Sequence, residues 1–180
     1  MNPSMVTFRR PHVTDGTAIW RLAAETKKLD TNSVYAYLMM CDMFAETCAI
    51  ASHDERVIGF ATAFRKPGQP DTLFVWQVGV RPDLQGAGIG TRLIRHLLER
   101  KELSGIRYLE GTVGPGNDSS RRLFLRFAEG RGTQCRIAEH YREALFPVET
   151  EHETELLFRV GPLAAARPAP RNPSDKEVVN

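Results

Sequence analysis

The sequence predicts an α/β domain, built as one mixed, mainly antiparallel central sheet flanked by helices. Three observations lead there. The hydrophobic period switches repeatedly between about 3.6 and 2 residues along the chain, as a succession of helices and strands requires. A polar His53-Asp-Glu-Arg56 between two apolar runs reads as a hairpin turn, so part of the sheet is antiparallel. A valine-bearing run, Leu73 to Val80, then leads through closely spaced glycines into an amphipathic helix.

The elements follow in order. Thr14-Asp15 can cap a first helix carrying Ile19, Leu22 and Ala23, and Asn32-Ser33 a second carrying Tyr35, Leu38, Met39 and Phe44. Strands are expected at 46–51 and 57–64, and a third at 73–80 after the turn-forming Pro67-Gly-Gln-Pro70. A helix over 88–101 aligns Ile89, Leu93, Ile94, Leu97 and Leu98 on one face. A strand at 108–113, a helix at 119–127 and closing strands at 133–137 and 154–160 complete the order ααβββαβαββ, with no internal repeat. The domain spans 7–163. Residues 1–6 and the Pro-, Ala- and charge-rich 164–180 have little to bury and are expected to be disordered.

Composition excludes several classes of function. A net charge of +2, with Lys and Arg dispersed among acids, gives no nucleic-acid surface. No stretch of apolar residues is long enough to span a membrane, and the first residues lack the pattern of a cleavable leader. Cys41, Cys48 and Cys135 are odd in number and lack metal-ligand spacing, which suits reduced thiols in a cytoplasmic protein. The histidines are scattered and no H-E-x-x-H occurs, so no metal is expected.

The chemistry starts at Asp83-Leu-Gln-Gly-Ala-Gly-Ile-Gly-Thr-Arg92. Its G-x-G-x-G spacing is neither the dinucleotide fingerprint nor a P-loop, and a polar turn, Arg81 to Gln85, separates it from the strand. Glu110 stands twenty residues beyond Gly90, where an acid for a ribose could lie, so the nicotinamide reading is weakened without being removed. Glycines let successive backbone N–H groups converge on an anion, and the helix that follows adds its unpaired donors and dipole. This describes a pyrophosphate site that needs no metal.

The run from Val78 to Leu93 resembles the acyl-CoA pyrophosphate motif of the Gcn5-related N-acetyltransferases, Q/R-x-x-G-x-G/A, met by Gln85, Gly88 and Gly90. The resemblance implies that Gln85, Gly86, Ala87, Gly88, Ile89, Gly90 and Thr91 hold the pyrophosphate of acetyl-CoA. It also implies that the strand at Val78 and Val80 pairs with the pantetheine arm. Gly116 to Phe124 resembles a second segment of that superfamily, matched by Asn117 and Ser120. The blocks Leu29-Asp-Thr-Asn-Ser-Val-Tyr-Ala-Tyr37, Phe74 to Val80, Thr112 to Phe124 and His152 to Val160 are similar to a narrower family, the diaminobutyrate acetyltransferases, over about 7–161. That similarity implies a homodimer that acetylates N4 of L-2,4-diaminobutyrate for ectoine synthesis.

Acetyl transfer from a thioester needs an uncharged amine, a donor for the developing oxyanion and a proton for the departing thiolate. An amine with the pKa of lysine is neutral in about one molecule in 2,500 at pH 7, so the site must take a proton from it. The resemblance places Asp30, Asn32, Tyr35, Trp76, Glu151 and Glu153 around the substrate, with Glu110 or His152 as base and the Val78 N–H as oxyanion donor. Phe124 stands where the superfamily often has a tyrosine and cannot protonate the thiolate; Tyr35, Tyr37, Tyr141 or water could. Two rivals share the cofactor motif. A peptide acetyltransferase would show an open groove, and a non-catalytic acyl-CoA-binding module would release no thiol.

Overall fold

The computed structural model describes residues 6–150 and 152–164. The ends expected to be disordered lie outside the described residues except for Val6 and Ala164, and so does Glu151. The elements are β1 (Thr7–Arg9), α1 (Gly16–Thr26), α2 (Val34–Asp42), β2 (Ala49–His53), β3 (Arg56–Lys66), β4 (Gln69–Val80), α3 (Ile89–Leu98), β5 (Tyr108–Val113), α4 (Asp118–Gly130), β6 (Cys135–Tyr141) and β7 (Glu155–Val160). The expected order is met, with β1 added; three residues are too few to show a period. One seven-stranded sheet runs β1-β2-β3-β4-β5-β7-β6. Its pairs are antiparallel apart from β4 and β5, which are joined through α3 as a parallel crossover demands.

Two apolar layers hold the sheet. On one face Leu93, Ile94, Leu97 and Leu98 of α3 are buried as their spacing predicts, packing in one cluster with the small Ala49, Ala51, Ala61 and Ala63 of β2 and β3. Burial of each such Leu or Ile contributes about 1.5–3 kcal/mol relative to exposure. On the other face Ile19, Leu22 and Ala23 of α1 pack with Tyr37 and Cys41 of α2 on Ile50 and Phe60. Here the expected face of α2 is corrected: Tyr37, Met40 and Cys41 are buried, while Tyr35 is 72% exposed. Almost every residue of α2 is apolar, so periodicity could not select a side. Ser33 does cap α2, its Oγ accepting from the Ala36 N–H at 3.2 Å. Asp15 does not cap α1; it accepts from the His12 N–H at 2.7 Å and from both terminal nitrogens of Arg9.

The feature that positions the site is the parting of β4 from β5. Their ladder covers only Thr72–Phe74 against Tyr108–Glu110. Beyond it, β5 continues beside β7, with Gly111, Thr112 and Val113 opposite Phe158, Leu157 and Leu156. β4 continues beside β3 but carries an extra residue, because Thr62 faces Gln77 while Ala63 faces Val75, leaving Trp76 as a bulge. A bulge bends and twists its strand. β4 therefore swings off β5 just past the last paired residue, and a wedge opens between them.

Candidate active site

A cleft of about 380 Å³ fills this wedge. Its walls are β4 from Val75 to Val78, the end of β5 from Thr112, and the first turns of α4 with Asn117, Ser120, Leu123 and Phe124. The α1–α2 loop adds Lys28 to Asp30 and Asn32, and the β6–β7 region adds Tyr141, Phe146, His152, Glu153 and Glu155.

Backbone geometry decides what β4 offers. The Arg81 N–H donates to the Ile58 carbonyl at 2.9 Å, just beyond the Gly59–Val80 pair. In an antiparallel ladder this makes Gly59–Val80 and Ala61–Val78 the pairs without mutual hydrogen bonds. The N–H and C=O groups of Val78 and Val80 therefore point away from β3, into the gap that β5 has left. The Gln85 side-chain amide donates to the Val80 carbonyl at 3.2 Å, consistent with that direction.

Beyond the Val78 and Leu123 walls of the cleft, which a Cβ at Gly90 would approach to 3.4 and 3.5 Å, the glycine loop presents donors. Gly86 and Gly88 have φ of 84° and 77°, where a Cβ is strained, and nothing lies within 4 Å of where either Cβ would stand. The Gln85 and Ala87 N–H groups are turned inward, each donating at 3.3 Å to the carbonyls of Pro82 and Leu84. The first helical bond of α3 runs from the Arg92 N–H to the Gly88 carbonyl at 3.0 Å, so the N–H groups of Ile89, Gly90 and Thr91 have no helical partner. No acidic residue occupies that first turn, and the helix dipole favours an anion there. Asn117 caps α4, its Oδ1 accepting from the Ser120 N–H at 3.1 Å.

Within the cleft carboxylates gather around an imidazole. His152 stacks on Phe146, with centroids 3.8 Å apart and planes 6° apart, and its Nδ1 lies 2.8 Å from the Glu153 carbonyl. A carbonyl only accepts, so Nδ1 carries a hydrogen and Nε2 is turned toward the carboxylates. That Nε2 is 3.9 Å from Asp30 Oδ2 and 3.9 Å from Glu155 Oε1. Burial pushes the Glu155 carboxyl above the usual carboxylate range, against the opposing effects of His152 and a hydrogen bond with Thr112. Glu153 accepts from the Gly116 N–H at 3.1 Å. Beneath, the buried Tyr37 hydroxyl donates to Gln77 Oε1 at 2.9 Å, and Gln77 Nε2 donates to the Asp30 carbonyl at 2.8 Å. This pair ties the loop carrying Asp30 to β4, beside the Trp76 ring stacked on Tyr37.

The model of the acetyltransferase (GNAT) family matches residues 17–128. The L-2,4-diaminobutyric acid acetyltransferase of Halalkalibacterium halodurans is 46% identical over 158 residues, 88% of this chain and 82% of its own. The chain belongs to the acetyltransferase (GNAT) family, with the L-2,4-diaminobutyric acid acetyltransferases. The Paenibacillus lautus diaminobutyrate acetyltransferase, solved in complex with L-2,4-diaminobutyric acid and coenzyme A, superposes with a TM-score of 0.84 at 43% identity. The match covers 87% of this chain and 95% of that one. The ribosomal-protein-S18-alanine N-acetyltransferase of Escherichia coli, at 19% identity and a TM-score of 0.62 over 92% and 99% of the chains, shares the fold.

Against this family background, the structure brings Asp30, Asn32, Trp76, Val78, Asn117, Ser120, His152 and Glu153 into one cleft. Of the other expected residues, Val80, Gln85, Gly86, Ala87, Gly88, Ile89, Gly90 and Thr91 lie along the β4–α3 segment outside the cleft lining, and Glu110 and Tyr35 lie elsewhere. Glu110 is 1% exposed, held by Lys66 Nζ at 2.7 Å and by Arg159, and does not line the cleft; a carboxylate so engaged is no free base. Tyr35 points outward from the first turn of α2. Glu155, Gln77 and Thr112 were not anticipated, while Tyr37, named above only as a proton-donor candidate, is buried and donates to Gln77 Oε1. Glu155 stands at the start of β7 just beyond the anticipated His152 and Glu153, but its burial comes from other segments. Among the described residues no three His, Cys, Asp or Glu side chains gather as metal ligands, and no helix is long and apolar enough to cross a membrane.

Proposed function

We propose that this enzyme transfers acetyl from acetyl-CoA to N4 of L-2,4-diaminobutyrate, giving N4-acetyl-L-2,4-diaminobutyrate and CoA, the precursor-forming step of ectoine synthesis. The observation that carries this reading is a cleft whose carboxylate-rich wall, suited to a diamino acid, faces Val78 of β4, and whose Val78 and Leu123 side chains adjoin the donor-bearing start of α3 at Gly90. The names of the relatives above agree with it.

The N–H groups of Gly86, Gly88, Ile89, Gly90 and Thr91 hold the pyrophosphate, with Asn117 and Ser120 beside the arm of the cosubstrate. The pantetheine amides pair with the outward Val78 C=O and Val80 N–H, and the thioester carbonyl accepts from the Val78 N–H as charge develops on it. Asp30, Glu153 and Trp76 hold the amino acid by its ammonium groups, and Lys28, the one Lys or Arg lining the cleft among the described residues, supplies a counter-charge for its carboxylate. Glu155, whose proton affinity burial raises, takes the proton from N4, and His152 Nε2, 3.9 Å away, draws it toward solvent. The neutral amine attacks the carbonyl carbon, the second N4 proton passes from the tetrahedral intermediate to the Glu155 carboxylate, restored by release of the first, and the intermediate collapses with CoA leaving as a thiolate. With a thiol pKa of about 8.5, it takes its proton from water. Anchoring the α-amino end places only the distal amine near the thioester, which overrides the greater neutral fraction of the α-amine.

The test is a panel of L-2,4-diaminobutyrate, ornithine, lysine and a lysyl peptide with acetyl-CoA, the products resolved by NMR. N4 acetylation of diaminobutyrate should dominate; preference for N2, ornithine, lysine or the peptide refutes the reading. We also infer a homodimer, supported by β6, an edge strand exposed along most of its length and bearing Ile137 and Tyr141. Light scattering giving only the 20.2 kDa chain mass would refute it. Three free thiols, two of them buried, suit the reducing cytoplasm as its location.

A further inference from the structure

We infer that Phe124 sets the length of acyl chain that the enzyme accepts from its thioester donor. The inference rests on the proposed placement of the thioester at Val78. Phe124 comes from α4, is 4% exposed and lines the cleft. Its ring lies directly on the β5 backbone: a Cβ at Gly111 would stand 2.5 Å from the Phe124 Cζ and 3.0 Å from the Val75 carbonyl oxygen. Gly111 thus leaves the space that Phe124 occupies, at the place where β4 and β5 separate. Phe158 of β7 backs the ring, its centroid 5.6 Å away.

This arrangement bounds the acyl group. A carbonyl oxygen bonded to the Val78 N–H lies in the gap between the strands, so the group attached to the same carbon lies there as well. On the α4 side that gap is floored by Phe124, and the ring is held between the backbone at Gly111 and the ring of Phe158, with little freedom to swing aside. Acetyl ends in a methyl that such a space can hold. Propionyl and butyryl add carbons that must displace a buried ring. Phe124 carries no hydrogen-bonding group, so shortening it changes space without removing a proton donor.

The experiment compares kcat/KM for acetyl-, propionyl- and butyryl-CoA in the wild type, Phe124→Leu and Phe124→Ala. The ratio is read on whichever amine the wild type acylates, so failure of the diaminobutyrate assignment leaves this test standing. The wild type should use propionyl-CoA at least about tenfold less well than acetyl-CoA, a discrimination within reach of one methylene in an apolar pocket. Phe124→Leu should raise the propionyl-to-acetyl ratio about tenfold, and Phe124→Ala should admit butyryl-CoA as well. Calorimetry with CoA identifies folded variants, and the leucine variant keeps the test valid if the alanine variant does not fold. A wild type indifferent to chain length overturns the inference. So does an unchanged ratio in a variant that binds CoA normally.

Discussion

Replacing Gly88 by Ala separates the phosphate role of the glycine loop from its role in chain geometry. Gly88 has φ of 77° at the entry to α3, and no atom lies within 4 Å of an added Cβ. In the free protein the methyl therefore clashes with nothing, and the cost is that of a left-handed L-residue, about 1–2 kcal/mol. For a chain of this size that lowers Tm by about 2–8 °C. Gly68, in the two-residue turn between β3 and β4, has φ of 74° and equally open space, so Gly68→Ala should lose a similar amount. The two variants should differ in ligand binding. At Gly88, in the proposed binding mode, the methyl stands where a phosphate approaches the N–H groups of the α3 entry. Loss of two hydrogen bonds to a charged group, each about 1.5–3 kcal/mol, weakens CoA binding by about 10² to 10⁴-fold. Calorimetric titration with CoA, run beside thermal unfolding, reads both effects. Gly88→Ala with the expected fall in Tm but CoA affinity within about threefold of wild type would refute the placement of the pyrophosphate. Equal weakening by Gly68→Ala would show that the effect is global.

Glu155→Gln should lower kcat by about 10² to 10⁴-fold with CoA affinity unchanged, and the acid limb of the kcat/KM profile, lying above ordinary carboxylate values, should vanish with it. Because the folded-state pKa is raised, ionised Glu155 costs stability above that pKa, and the cost fades as pH falls through it toward the unfolded value; the glutamine variant should unfold no earlier than wild type at neutral pH. A marked loss of Tm at neutral pH would contradict that sign. Gln77→Leu removes the acceptor of the buried Tyr37 hydroxyl and the 2.8 Å donor to the Asp30 carbonyl, leaving them the longer bonds from Asn32 at 3.4 and 3.3 Å, at about 1–3 kcal/mol, and loosens the loop that bears Asp30. Its KM for diaminobutyrate should rise while that for acetyl-CoA holds; parallel rises in both would place the effect in the fold at large.

The parts of this protein legible in its sequence are those decided by neighbours along the chain. α3 could be read because its apolar residues recur on one face and its flanks are polar. The glycine loop could be read because positive φ and anion binding both follow from the absence of a side chain at particular positions. α2 offered no such contrast, and only its packing on Ile50 and Phe60 chose Tyr37 over Tyr35 for burial. The carboxylates show the same division more sharply. Glu110 and Glu155 both sit in strands, yet Lys66 and Arg159 converge on Glu110, while Glu155 is left facing His152 in the cleft. Those partners of Glu110 lie 44 and 49 residues away along the chain, and no local pattern encodes them. The cleft itself belongs to the tertiary structure, since a bulge at Trp76 and a ladder ending at Glu110 have meaning only when β3, β4, β5 and β7 are paired. A charge acquires its proton affinity from what surrounds it in space, so the sequence could name acids for the site and only the packed sheet shows Glu110 engaged by Lys66 and Arg159 while Glu155 lines the cleft.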